Sequence, residues 1–248
     1  LAAAGCSDAF DPFLDEAPGV ALYGVLDART DRQVVRVEAV ARPDVPPPPV
    51  AVTLTDLGTG QTVAFRDTVL ALTGGGTAPG AVGTVRPLAG RTYRLTASRP
   101  DAAGTEASAV VTVPPAPAVR VFEPGQVGEA FRQTLEIAAP AGTPRSAAVT
   151  YSLRTAAGRD TTLVVPYPLT TVGPNVQVLV FLSRDAETIR QRFGEGVLLV
   201  GGPELRYALA AAPVAVTGGA GEVGAVAAFA RAWTLSLAVT LALGLAGE

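Results

Sequence analysis

Between positions 19 and 113 the chain repeats one pattern seven times, a short run of β-prone residues followed by a turn rich in Gly, Pro, Asp or Thr. The runs fall at 20–27, 33–41, 50–56, 61–67, 81–86, 92–98 and 108–113. Strands this short at this spacing leave no room for long helices. They predict a β-sandwich of immunoglobulin or fibronectin type. In Val52-Thr53-Leu54-Thr55-Asp56 the apolar residues alternate, so Val52 and Leu54 are expected to face the core and Thr53 and Thr55 water. Leu57-Gly58-Thr59-Gly60 then turns the chain back through Thr62-Val63-Ala64-Phe65. Ala89-Gly90-Arg91-Thr92-Tyr93 has the form of the turn into a penultimate sandwich strand, where a tyrosine ties the corner, and Tyr93 is read as structural.

Pro114, Pro115 and Pro117 cannot continue a ladder, which places a boundary after a first domain at 19–115. A second β-rich domain at 118–248 is expected, with runs at 131–138, 148–155, 161–165, 176–182, 197–200 and 205–211. One short helix interrupts it. Ser183 is expected to cap that helix, Asp185 and Glu187 to suit its positive end, Arg190 and Arg192 its negative end, and Gly194 to end it. Ile189 and Phe193, four apart, would pack it on the sheet. The uncharged stretch 232–247 alternates Trp233, Leu235, Leu237, Val239, Leu241, Leu243 and Leu245 with smaller residues. That period of two predicts a long half-buried strand, and the stretch is shorter than the ~20 residues of a spanning helix. The fold class is therefore mainly β, an immunoglobulin-like sandwich followed by a second β-rich domain with one helix.

The residues that are missing narrow the chemistry. All 19 basic residues are Arg, and the chain has no Lys, His or Met. Without His or Lys there is no Ser-His-Asp triad, Cys-His pair, histidine metal site, Schiff base or Walker A loop. Paired carboxylates of the glycosidase kind remain, with Glu195, Glu204 and Glu222 as candidates, but none lies in a motif that fixes its geometry. The acidic group Asp8, Asp11, Asp15 and Glu16 lacks the glycine-bent frame of a calcium loop. Gly74-Gly75-Gly76 lacks the strand-before and helix-after context of a phosphate loop and reads as a loop tip. The proline run 46–49 reads as a stiff lead into the strand at Val50. We expect no enzymatic activity, no cofactor and no bound metal. A net charge of −3 gives no basic surface for nucleic acid.

Cys6, the one cysteine, follows Leu-Ala-Ala-Ala-Gly and precedes the acidic residues. That is the form of a bacterial lipoprotein signal: residues 1–5 would be the end of the signal peptide, Cys6 the lipidated residue and 6–18 a tether. Each buried CH₂ of an acyl chain contributes about 0.8 kcal/mol, and two or more chains hold a protein stably on a membrane.

Taken in order, several elements resemble a Bacteroidota family of outer-membrane lipoproteins known as a domain of unknown function, DUF4249. They are the start at Cys6, the strand Leu22-Tyr23-Gly24-Val25-Leu26, the proline-bounded sandwich with its Ala-Gly-Arg-Thr-Tyr turn, the helix start Leu182-Ser183-Arg184-Asp185, and the segment Gly218-Gly219-Ala220-Gly221-Glu222-Val223-Gly224-Ala225. The resemblance implies an outer-membrane lipoprotein, lipid-anchored on the cell-surface or periplasmic face, often encoded beside TonB-dependent transporters. It implies no functional residue beyond Cys6. A binding or accessory module, working with such a transporter, is the first expectation. The alternative is a structural or adhesive surface protein that contacts other surface proteins and takes no small ligand.

Overall fold

The computed structural model describes residues 19–39, 48–101 and 105–246. The first unit holds β1 (Val20–Asp27), β2 (Arg32–Ala39), β3 (Ala51–Asp56), β4 (Thr62–Ala64), β5 (Arg66–Ala71), β6 (Thr77–Thr84), β7 (Thr92–Ser98) and β8 (Glu106–Thr112). Its strands form two sheets in the orders β1-β2-β6-β5 and β4-β3-β7-β8. These are the A-B-E-D and C′-C-F-G orders of an immunoglobulin-like sandwich. The expected run 61–67 divides at Phe65: β4 pairs β3 in one sheet, and β5 pairs β6 in the other. Phe65 is buried where the chain crosses between them. Tyr93 closes the corner as expected, its hydroxyl accepting the Leu88 N–H at 2.9 Å while its ring is buried.

The second unit repeats the arrangement. It holds β9 (Val119–Val121), β10 (Gly125–Val127), β11 (Ala130–Ile137), β12 (Thr143–Arg154), β13 (Asp160–Tyr167), β14 (Thr170–Val172), β15 (Asn175–Val180), α1 (Leu182–Phe193), β16 (Leu198–Leu199), β17 (Glu204–Ala210), β18 (Val214–Ala215), β19 (Ala220–Ala232) and α2 (Leu237–Ala242). Strands β9 and β10 share one edge of β11, followed by β15 and β14, and the facing sheet runs β13-β12-β17-β19. Leu135, Ile137, Val176, Val178 and Val180 meet Val149, Tyr151, Leu153, Leu163, Leu205 and Leu209 in the second core. Burial of these side chains supplies the main driving force for this layer.

One strand belongs to both sandwiches. Residues Ala220 to Val226 of β19 pair in parallel with Ala21 to Asp27 of β1, and Val226 to Ala232 pair antiparallel with β17. Val223, Ala225 and Ala227 enter the first core, Trp233 enters the second, and Phe229 packs against both. The turn before β19 also reaches the opposite sheet, where Thr217 and Ser108 exchange backbone hydrogen bonds at 2.8 Å. Such close approach requires glycine. A Cβ at Gly219 would lie 2.7 Å from the Ala107 Cβ, and one at Gly221, whose φ is +112°, would overlap the Leu22 carbonyl. The glycine-rich segment is thus the joint between the units.

The C-terminal stretch corrects the strand expectation. The ladder ends at Ala232 opposite Glu204, with Trp233 N–H donating to Pro203 O at 3.0 Å. Beyond it the chain folds into α2, making a second helix in this unit. Ser236 Oγ accepts the Val239 N–H at 3.3 Å, and the helix satisfies its own backbone where no partner strand is supplied. Val239 and Leu243, four apart, are buried, whereas Leu237 and Leu241 are exposed.

Replacing Gly221 by Ala is expected to lower unfolding free energy by about 3 kcal/mol or more, because a positive φ and a backbone overlap act together. Chemical denaturation of G221A beside the parent chain measures it; a loss below about 1 kcal/mol, the size of an ordinary surface change, would contradict the joint's geometry.

Candidate functional site

Cys6 and the acidic residues Asp8, Asp11, Asp15 and Glu16 lie outside the described residues, as do positions 46 and 47 of the proline run. Gly74, Gly75 and Gly76 form the tip of the β5–β6 hairpin, closed by hydrogen bonds between Leu72 and both Gly75 and Gly76. Glu195 is exposed after α1, Glu204 opens β17 and is ion-paired with Arg206, and Glu222 is exposed on β19. Glu204 pairs in register with Ala232, ten residues from Glu222 along β19. Ten strand residues span about 33 Å. Glycosidase carboxylates stand about 5 to 9.5 Å apart, so the structure does not bring these two together. Among the described residues no group of three Asp, Glu, His or Cys side chains is arranged to hold a metal.

A buried polar cluster lies instead beneath α1. Asp185, expected to suit the positive end of the helix, is 1% exposed, and its Oδ2 accepts the Tyr151 hydroxyl at 2.6 Å and also the Tyr167 hydroxyl. Tyr167 Oη in turn accepts the Phe181 N–H at 3.1 Å. Arg184 lies 3.6 Å from Asp185 Oδ1 and stacks over the Tyr167 and Phe181 rings, with Arg132 also over Phe181. Ser183 does not cap the helix. The N-cap is Phe181, and Ser183 Oγ accepts the Phe131 N–H at 2.8 Å, tying α1 to β11. Burial raises the Asp185 pKa above its ordinary value, against the lowering pull of the two hydroxyls and Arg184. Burial and the neighbouring carboxylate both push the Tyr151 hydroxyl far up, and burial does the same for Tyr167. Both tyrosines therefore stay protonated and donate, so the cluster pins the helix. One sequence signal pointed there: Tyr151 alternates with Val149 and Leu153 on the inward face, and a buried hydroxyl needs an acceptor.

The accessible candidate surface is the outer face of the sheet that runs through both units. A hollow of about 600 Å³ there is lined by Ser146, Ala148, Pro166, Arg206, Ala208 and Ala228, among others. Tyr23, Val25, Val34 and Val164 are exposed large apolar side chains on the same face. Register fixes this: Ala148 lies opposite Arg206, Arg206 opposite Ala230, and Glu222 opposite Tyr23. Part of its charge is paired locally. Asp27 with Arg29, Arg36 with Glu38, and Glu204 with Arg206 are acid–base pairs two residues apart. On a strand, as for the last two pairs, that spacing keeps both partners on one side, while Arg29 reaches back to Asp27 from the turn after β1. These pairs neutralise Arg29, Arg36 and Arg206, whereas Arg32 and Arg145 stand on the same face outside the ion pairs. Between them lies a small-residue apolar ground suited to contact with another protein surface. Nothing in it resembles a nucleophile with its base.

No family model matches the chain. No curated protein matches it either. Among solved structures it is similar to the crystal structure of bovine butyrophilin, at 10% identity and a TM-score of 0.21, over 87% of this chain and 99% of that one. The sandwich assignment stands on strand order and the Tyr93 corner.

Asp185 gives a pH signature whose sign is fixed. A carboxyl whose folded pKa is raised contributes stability that is fully present below its unfolded pKa and is lost as pH rises through the folded one. Asp27, Asp56, Asp101, Asp160 and Glu187 are lowered by arginine pairing and backbone or side-chain hydrogen bonds, so they act in the opposite sense. Their contributions cancel when Asp185→Asn is compared with the parent. The stability of the parent relative to D185N is therefore expected to fall between acid and neutral pH in urea titrations. A rise would mean that the hydroxyl bonds outweigh burial.

Proposed function

We propose that the chain is a lipid-anchored outer-membrane lipoprotein, acylated at Cys6, whose two sandwiches form a binding or accessory module for a membrane partner such as a TonB-dependent transporter. The observation that carries the reading is the sequence Leu-Ala-Ala-Ala-Gly-Cys, followed by acidic residues before the first strand at Val20. Two acyl chains and a blocked amine at such a cysteine would hold the β body at the membrane surface. The small-residue apolar ground at Ala148, Ala208, Ala228 and Ala230, with Arg206 held by Glu204, supports a protein partner. Apolar ground loses little when desolvated against a complementary surface, and Arg32 and Arg145 at its margins would meet acidic groups of the partner.

Cys6→Ser in the native host is expected to move the protein from the membrane fraction to the soluble one, and intact-mass measurement of the parent should show added acyl mass. An unmodified thiol in membrane-derived protein would sink the anchor. Ala228→Arg, in the middle of the outer face, is expected to abolish copurification of a β-barrel partner at an unchanged melting temperature. Recovery of copies of the chain itself, or of another surface protein, would instead favour the adhesive alternative.

A further inference from the structure

The first and last strands of the described chain, β1 and β19, are neighbours in one sheet and run in the same direction over seven consecutive register pairs, Ala21 with Ala220 through Asp27 with Val226. A load drawn from the N-terminal side enters β1 at Val20. A load drawn from the C-terminal side leaves β19 at Ala232. The two forces thus pull parallel strands in opposite directions along their own axes.

We propose that this ladder is a mechanical clamp that carries tension between the two ends of the chain. Parallel ladder bonds are evenly spaced. Under sliding load they share the force and must fail nearly together, whereas bonds peeled from one end fail in turn. The surroundings brace the clamp on both sides. β1 is held by five antiparallel pairs to β2, and the distal half of β19 by seven to β17. Gly219 and Gly221 let β19 close onto the Val20 and Leu22 carbonyls, and the Ala28 N–H donates to Val226 O at 2.9 Å at the far end. Leu22, Leu26, Val223 and Ala225 lie in one core, so sliding also shears apolar packing. The tail with α2 lies outside the clamp on the C-terminal side and is expected to leave first, in a small step at low force. The device depends on strand direction and holds whether or not Cys6 is acylated.

Single-molecule force spectroscopy on the full chain tests it. Unacylated recombinant protein carries one natural thiol, Cys6, which serves as one handle, with the other at the C-terminus. A second protein, Cys6→Ser with Arg29→Cys, moves the first handle to the exposed turn after β1, so that load enters both strands at the same end and peels them. Rupture between the termini is expected at a force several-fold higher than in the Arg29→Cys geometry at equal loading rate. Forced unfolding follows the rate of unfolding and not equilibrium stability, so matched denaturant stability of the two proteins serves as the control. Equal forces, or a weaker rupture between the termini, would overturn the clamp. Neither result bears on the acyl chain, which is read by mass.

Discussion

The parallel pairing of β19 with β1 is the interaction on which the molecule depends. Each sandwich has its own sheets and its own core, but the sheet containing β13, β12 and β17 continues through β19 into β1, β2, β6 and β5. The strand supplies Val223, Ala225 and Ala227 to the first core, its Phe229 packs against both, and Trp233 just beyond its end enters the second. A ladder with register on both edges, glycines fitted against neighbouring backbone and apolar side chains in two cores resists displacement as a whole. The boundary marked by prolines along the chain is not a boundary in the sheet.

How much of this was legible follows from which forces are local. Strands β1 and β7 lie at their expected residues because alternation and flanking turns are local signals, and the Tyr93 corner was readable from the turn that precedes it. The helix at Leu182–Phe193 was readable for the same reason. What failed was everything decided at a distance. Ser183 satisfies a cap rule in sequence, yet its hydroxyl is taken by Phe131 on another strand. Asp185 suits a helix N-terminus, yet two tyrosines from β12 and β13 draw it inside. The alternating tail lacked a partner for its backbone, and a short helix answered that need better than a lone strand. The glycine-rich segment is visible in the sequence, but that its glycines face Val20, Leu22 and Ala107 is a tertiary fact.

The outer face shows a different limit. No single residue on it is unusual, and its character comes from placing Ala148, Ala208, Ala228 and Ala230 beside one another across strands distant in sequence, while acids two residues away hold Arg29, Arg36 and Arg206. The absence of Lys and His, by contrast, was readable at once and bounds the chemistry more firmly than any motif.

Pairing β1 with β19 has a consequence for company as well as for cohesion. A sandwich standing alone would leave the outer edge of its first strand with unmet amide and carbonyl groups, a template on which neighbours can aggregate. Here that edge is filled from within the same chain. Two modules fused side by side expose fewer open rims than two separate ones, a protection that counts most where copies are crowded together.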